Sequence, residues 1–71
     1  MLTVWEFICQ PYHYYVAATD ANLAREYLRR EHPEIADNVS EPRNVGRGVL
    51  NKLKLKEGEV CCTGEIAKFE R

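Results

Sequence analysis

Cysteine and histidine are the residue types of this chain best suited to chemistry. Cys61 and Cys62 are adjacent, Cys9 lies far upstream, and His13 follows Cys9 at four positions' distance. Thiolates and imidazoles hold zinc when four of them converge. The spacing argues against that here. Adjacent strand residues point to opposite faces, so the vicinal thiols do not readily share one ion, and no C-x-x-C pair occurs. Packing as small apolar side chains accounts for cysteines of this kind. No metal and no cofactor is expected.

His13 and His32 belong to the side-chain type that changes charge near neutral pH, as acid–base catalysis requires. No Ser or Cys stands beside either in a hydrolase-like arrangement, and no Gly-rich phosphate loop is present. A chain of 71 residues also has little material for the walls of a pocket. A non-enzymatic protein is therefore expected. His32, just before Pro33, is placed at the C-terminal end of a helix. Tyr12, Tyr14 and Tyr15, with Trp5 across a hairpin, have a different use, because aromatic rings stack bases or anchor protein partners. They also supply core bulk in a chain with two phenylalanines. Strand parity sends at least one of the tyrosines to the less buried side.

A net charge of −1 hides a segregation. Glu31, Glu34, Asp37 and Glu41 fall in residues 31 to 42, which contain no Lys or Arg. The next stretch, RNVGRGVLNKLKLK at 43–56, carries Arg43, Arg47, Lys52, Lys54 and Lys56 and no acid. Contact with nucleic-acid phosphate is one reading of it, with the glycines around Arg47 letting backbone approach a ligand. A turn followed by a solvated strand face is the other. Nucleic-acid binders usually show a basic excess over the whole domain, whereas this chain has an isoelectric point near 6.1.

The elements that must position these residues follow from periodicity. Leu2, Val4 and Ile8 alternate with Thr3, Trp5, Phe7 and Cys9, which predicts a strand largely apolar on both faces. Pro11 punctuates it. A second hairpin arm, YHYYVAAT, puts Tyr12, Tyr14, Val16 and Ala18 on one face and His13, Tyr15 and Ala17 on the other. Thr19 and Asp20 then offer caps to ANLAREYLRRE, whose Leu23, Ala24, Tyr27 and Leu28 form a helical apolar stripe. Arg29 and Arg30 suit the negative end of that helix, and Glu26 precedes Arg30 by four residues. Pro33 stops it or opens a short turn through EIADNV.

Residues 33–48 are rich in turn formers. So long a loop in so small a domain is functional or conceals an element. Val49, Leu53 and Leu55, set against Lys52, Lys54 and Lys56, read as a strand with one basic face, of the kind that protects a sheet edge. Glu57 and Gly58 make a turn, and residues 59–70 alternate as a last strand, bulged at Gly64.

These elements amount to a single α+β domain over residues 1–71. Its expected form is a small antiparallel sheet of three or four strands with one amphipathic helix on one face, in the order ββαββ. A chain of this size buries only roughly 60% of its unfolded surface, so a partner or a twin subunit would add stability. The odd cysteine count does not build a disulfide framework, which points to a reducing, cytoplasmic setting. The N-terminal segment MLTVWEFICQP lacks the basic leader of a secretory signal, and Glu6 interrupts its apolar run. No stretch of about 18 apolar residues is present to span a membrane.

The segment YYVAATDANLAREYL, a strand running directly into a capped helix, is followed by a polar loop and a closing hairpin. In size and layout the chain resembles compact proteins of bacteriophages and mobile elements, among them anti-CRISPR-type inhibitors. That resemblance implies a protein that works by occupying a host surface, as a stoichiometric inhibitor of a nucleic-acid-handling complex. Its partner would meet Glu31, Glu34, Asp37 and Glu41, acting as phosphate mimics, or Arg43 and Arg47. Two alternatives stand beside it. One is a small nucleic-acid-binding protein using Arg43, Arg47, Lys52, Lys54 and Lys56. The other is a structural subunit that forms a homodimer through a sheet edge.

Overall fold

The computed structural model describes residues 1–10 and 12–62. Its elements are β1 (Thr3–Cys9), β2 (Tyr12–Ala18), α1 (Ala21–Glu31), β3 (Arg43–Asn44), α2 (Arg47–Leu53) and β4 (Val60–Cys62). The strands form one sheet in the spatial order β3-β1-β2-β4, and every neighbouring pair is antiparallel. The hairpin is as the alternation predicts, paired from Thr3↔Ala18 to Cys9↔Tyr12. The turn expected at Pro11 lies outside the described residues. Because β1 separates β2 from β3, those two strands run the same way, and α1 is the crossover between them.

Strand parity sorts the hairpin into two faces. Trp5, Phe7, Tyr14, Val16 and Ala18 share one face, and α1 lies on it. Phe7, Val16, Ala18, Ala24 and Leu28 form the fully buried cluster, flanked by Trp5, Tyr14, Leu23, Tyr27, Ile35 and Val39. Burying a side chain such as Leu28 contributes about 2 kcal/mol, so this stripe is what holds the helix to the sheet. The helix starts where Asp20, in an extended conformation, accepts a 2.9 Å hydrogen bond from the Leu23 N–H. It ends at His32, whose N–H reaches the Leu28 carbonyl at 2.7 Å. Pro33 and two successive turns through Ile35 and Asn38 follow.

Three expectations need correction. Among the described residues there are two helices, not one, and the element order is ββαβαβ. The lysine-faced strand does not form: Lys52 is in α2, and Lys54 adopts the left-handed conformation (φ 55°, ψ 39°) that terminates it. Val49, Leu50 and Leu53 sit at i, i+1 and i+4, and Leu53 is buried while Val49 and Leu50 are half-buried. α2 packs against β1. The third correction concerns the closing hairpin, because β3 and β4 occupy opposite edges of the sheet. The turn at Glu57 and Gly58 does form. Gly58 has φ +86° and donates its N–H to the Ala17 carbonyl at 2.8 Å, which leads the chain into β4 beside β2. The expected continuation of the last strand and its bulge at Gly64 fall outside the described residues.

The long loop has a structural purpose. Its segment 40–45 lies along the outer edge of β1, where the Ser40 N–H donates to the Ile8 carbonyl at 2.9 Å and the Val45 N–H to Val4 at 2.9 Å. The Ile8 N–H in turn donates to Ser40 Oγ at 3.0 Å. A row of backbone groups that would invite another strand is thereby occupied. No described helix is long and apolar enough to cross a membrane.

Candidate functional site

Where β1 begins and α2 begins, the chain builds an open cleft of about 350 Å³. Met1, Leu2 and Trp5 supply apolar wall, and Thr19, Asn44 and Arg47 supply polar groups. Trp5 is held by a 3.2 Å hydrogen bond from its indole N–H to the Ala18 carbonyl, and its ring packs against the core cluster. It is therefore a fixed surface. Asn44 is fixed as well. Its Oδ1 accepts from the Thr3 hydroxyl at 3.0 Å and from the Gly46 N–H at 2.8 Å, which makes Nδ2 its donor end. Gly46 has φ +88°, a conformation that costs a residue with a Cβ more than it costs glycine. That turn carries the chain from β3 into α2 and sets Arg47 on the cleft wall.

Arg47 is exposed, and its Nη1 lies 3.1 Å from the Met1 sulfur. A thioether is a weak acceptor for a guanidinium. Of the five basic residues in 43–56, Arg47 lines this cleft. Arg43 is also exposed but has the opposite parity, since it pairs with Glu6 where Asn44 pairs with Trp5. Lys52, Lys54 and Lys56 are distributed over a helix, its left-handed cap and the following turn, so they do not share a strand face. The Lys56 N–H donates to Glu59 Oε1 at 2.6 Å.

The acidic residues are exposed, and each lies close to a basic group of α1 or of its C-terminal cap. Asp37 meets Arg29 at 3.2 Å and Glu41 meets Arg25 at 3.1 Å. Glu34 lies 3.6 Å from His32 Nδ1, and Glu31 lies 4.0 Å from Arg30. The structure therefore gives a mixed-charge surface in place of a bare anionic one. Beside it, Asn22, Arg25, Glu26 and Arg29 line a shallow, polar hollow of about 430 Å³.

Sequence reasoning missed one cluster. On the sheet face away from α1, Glu6 Oε2 accepts from the Tyr15 hydroxyl at 2.8 Å and lies 3.1 Å from His13 Nδ1. Burial pushes the Glu6 carboxyl up. The hydrogen bonds from His13 and Tyr15, with the charges of His13 and Arg43, outweigh that and hold it below its ordinary value. The signal was available: two residues join the strands, so pairing Cys9 with Tyr12 necessarily puts Glu6 opposite Tyr15.

Cys62 and Cys61 stand across from Tyr14 and Tyr15 respectively, hence on opposite faces. Among the described residues, no three His, Cys, Asp or Glu side chains come together as metal ligands. Tyr14 packs its ring 5.1 Å from that of His32, tilted by 55°. Burial, with the Cys62 and Cys9 thiols nearby, raises its hydroxyl pKa. Tyr12 is the exposed tyrosine of β2. Set against known proteins, the chain matches no family model, no curated protein and no solved structure.

Proposed function

We propose that this chain is a non-enzymatic protein-binding module whose partner docks in the cleft of Met1, Leu2, Trp5 and Arg47. The observation that carries the reading is the composition and rigidity of that cleft. Trp, Met and Arg are the residue types enriched where proteins bind one another, and here a fixed indole and a cation border one hollow. A hollow of about 350 Å³ accommodates one or two side chains of a partner. Glu6 and His13, a pair suited to proton transfer, lie on the other face of the sheet and do not line it. Binding and acid–base chemistry are therefore not combined at one place, which favours recognition over catalysis.

The resemblance in size and layout to compact phage proteins of the anti-CRISPR type gives this reading its narrower form. In that form the chain is a stoichiometric inhibitor that occupies a surface of a host nucleic-acid-handling complex. In this reading Arg47 contacts the partner. Glu31, Glu34, Asp37 and Glu41, each beside a basic group, are better suited to the rim of such an interface than to phosphate mimicry.

The test is capture of a binding partner from bacterial lysate by the intact protein, compared with Leu2→Asp and Arg47→Glu variants whose folding is verified by circular dichroism. One partner should co-purify in a fixed ratio with the intact chain and be lost with either variant. Equal capture by all three proteins would overturn the cleft reading. Salt-sensitive retention of nucleic acid without protein would favour the basic segment 43–56 as a nucleic-acid contact instead.

A further inference from the structure

Among the described lining residues the one charged side chain is a cation and the one amide is left with a donor, which names the chemistry of the cleft's occupant. Building on the binding reading above, we propose that the cleft is a receptor for a carboxylate carried next to an aliphatic side chain, on an acidic and apolar segment of a protein partner.

Three observations converge. Of the polar side chains around the hollow, the Arg47 guanidinium only donates and Asn44 has its Nδ2 left to donate, beside the Thr3 and Thr19 hydroxyls, with no acid among the described lining residues. Asn44 cannot readily reverse its amide, because Oδ1 already receives the Thr3 hydroxyl and the Gly46 N–H. A flip would set an NH₂ group against the Gly46 N–H, which can only donate. The guanidinium, meanwhile, has the Met1 thioether as its acceptor at 3.1 Å. Exchange of that weak acceptor for a carboxylate converts a poor contact into a charge-assisted one.

The remaining wall selects what accompanies the charge. Leu2, the Trp5 ring and the Met1 side chain present apolar surface beside the donors, and Met1 is 85% exposed. A methionine adapts its shape to a bound side chain more readily than a branched residue does. A phosphate group would use the donors but leave the apolar wall uncovered. An aliphatic side chain without a charge would cover the wall and leave the guanidinium on its thioether. A carboxylate beside a leucine-like side chain uses both.

N-acetyl-leucine and N-acetyl-leucinamide are suitable probes, since they differ only in the charged group. Titrated into the ¹⁵N-labelled protein at pH 7, N-acetyl-leucine should shift the Trp5 indole N–H, the Asn44 side-chain amide and the Gly46 N–H. The amide should bind roughly tenfold more weakly, the factor a charge-assisted hydrogen bond is worth. Arg47→Gln should remove that preference, and Arg47→Lys should restore part of it. Equal affinities for the two probes, or inorganic phosphate shifting the same signals as strongly as N-acetyl-leucine, would overturn the proposal. So would the absence of any shift at the cleft. In that last case, capture lost with Leu2→Asp would leave the protein-binding reading standing, so the two failures are distinguishable.

Discussion

Replacing Glu6 with glutamine isolates the contribution of one buried charge, because the amide keeps the size and one acceptor oxygen of the carboxylate. In the native chain that carboxylate, with a side chain only 10% exposed, receives the Tyr15 hydroxyl at 2.8 Å and faces His13 at 3.1 Å. A hydrogen bond to a charged group contributes about 1 kcal/mol more than a neutral one. Two of them give about 2 kcal/mol, reduced because the His13 side chain is 40% exposed and partly screened by water. Glu6→Gln should thus lower stability by about 1–2 kcal/mol at pH 7, or roughly 5–15 °C in Tm for a domain of this size. The pH dependence fixes the cause. The folded carboxyl is held below 4.5, so the unfolded chain takes up its proton first as pH falls. The stabilisation is present in full above the unfolded value and is lost as pH falls through the folded one. The gap between wild type and Glu6→Gln should therefore be larger above about pH 5 than in acid, and should shrink as pH falls through the folded value. Urea unfolding followed by the fluorescence of the single tryptophan measures it directly. A gap of the same size at pH 3 and pH 7 would show that packing or shape, not charge, is responsible.

Lys54→Gly should stabilise the protein by about 0.5–1 kcal/mol, since Lys54 sits at φ 55° in the left-handed region. A loss of stability on thermal melting would mean that the residue is not in that conformation. Leu28→Ala truncates the largest fully buried side chain of the α1 stripe and should cost about 2–5 kcal/mol, read from chemical denaturation. Glu41→Gln and Asp37→Asn each break an ion pair whose acid is almost fully exposed. Each should therefore cost less than about 0.5 kcal/mol and leave Tm almost unchanged. A drop above 5 °C, more than such a pair supports, would show that the loop depends on those pairs to cover β1.

The sequence made some of this plain because the signals were local. Alternation set out β1 and β2, and the Asp20 cap with the Leu23, Ala24, Tyr27 and Leu28 stripe set out α1. The helix α2 was misread because two periods coincide in its residues. Leu53 and Leu55 alternate with lysines like a strand, yet Val49, Leu50 and Leu53 have helical spacing. The helical period prevails where Leu53 finds a buried site, and Lys54 ends the helix before the alternation can continue. β3 left no local trace, because two residues hold no period. Their strand geometry comes from the unpaired edge of β1, a contact about 40 residues distant in sequence. The cleft was invisible for the same reason, since it needs Met1, Trp5 and Arg47 brought together by that distant pairing.

Edge protection and the candidate binding cleft are consequently one construction. The segment that covers β1 must turn at Gly46 to reach α2, and Asn44 supports that turn by accepting the Gly46 N–H. The same oxygen accepts from Thr3 of β1, which ties the turn to the sheet and directs the remaining amide donor and Arg47 toward the hollow. Parity divides the two arginines that the sequence brought forward. Arg43 faces the buried Glu6 cluster, where its charge helps to keep a carboxylate ionised, whereas Arg47 is exposed on the cleft wall beside the Met1 thioether. A charge reversal at Arg43 should therefore act mainly on stability and one at Arg47 mainly on binding. If both acted on stability alone, the cleft would be a by-product of closing the sheet edge.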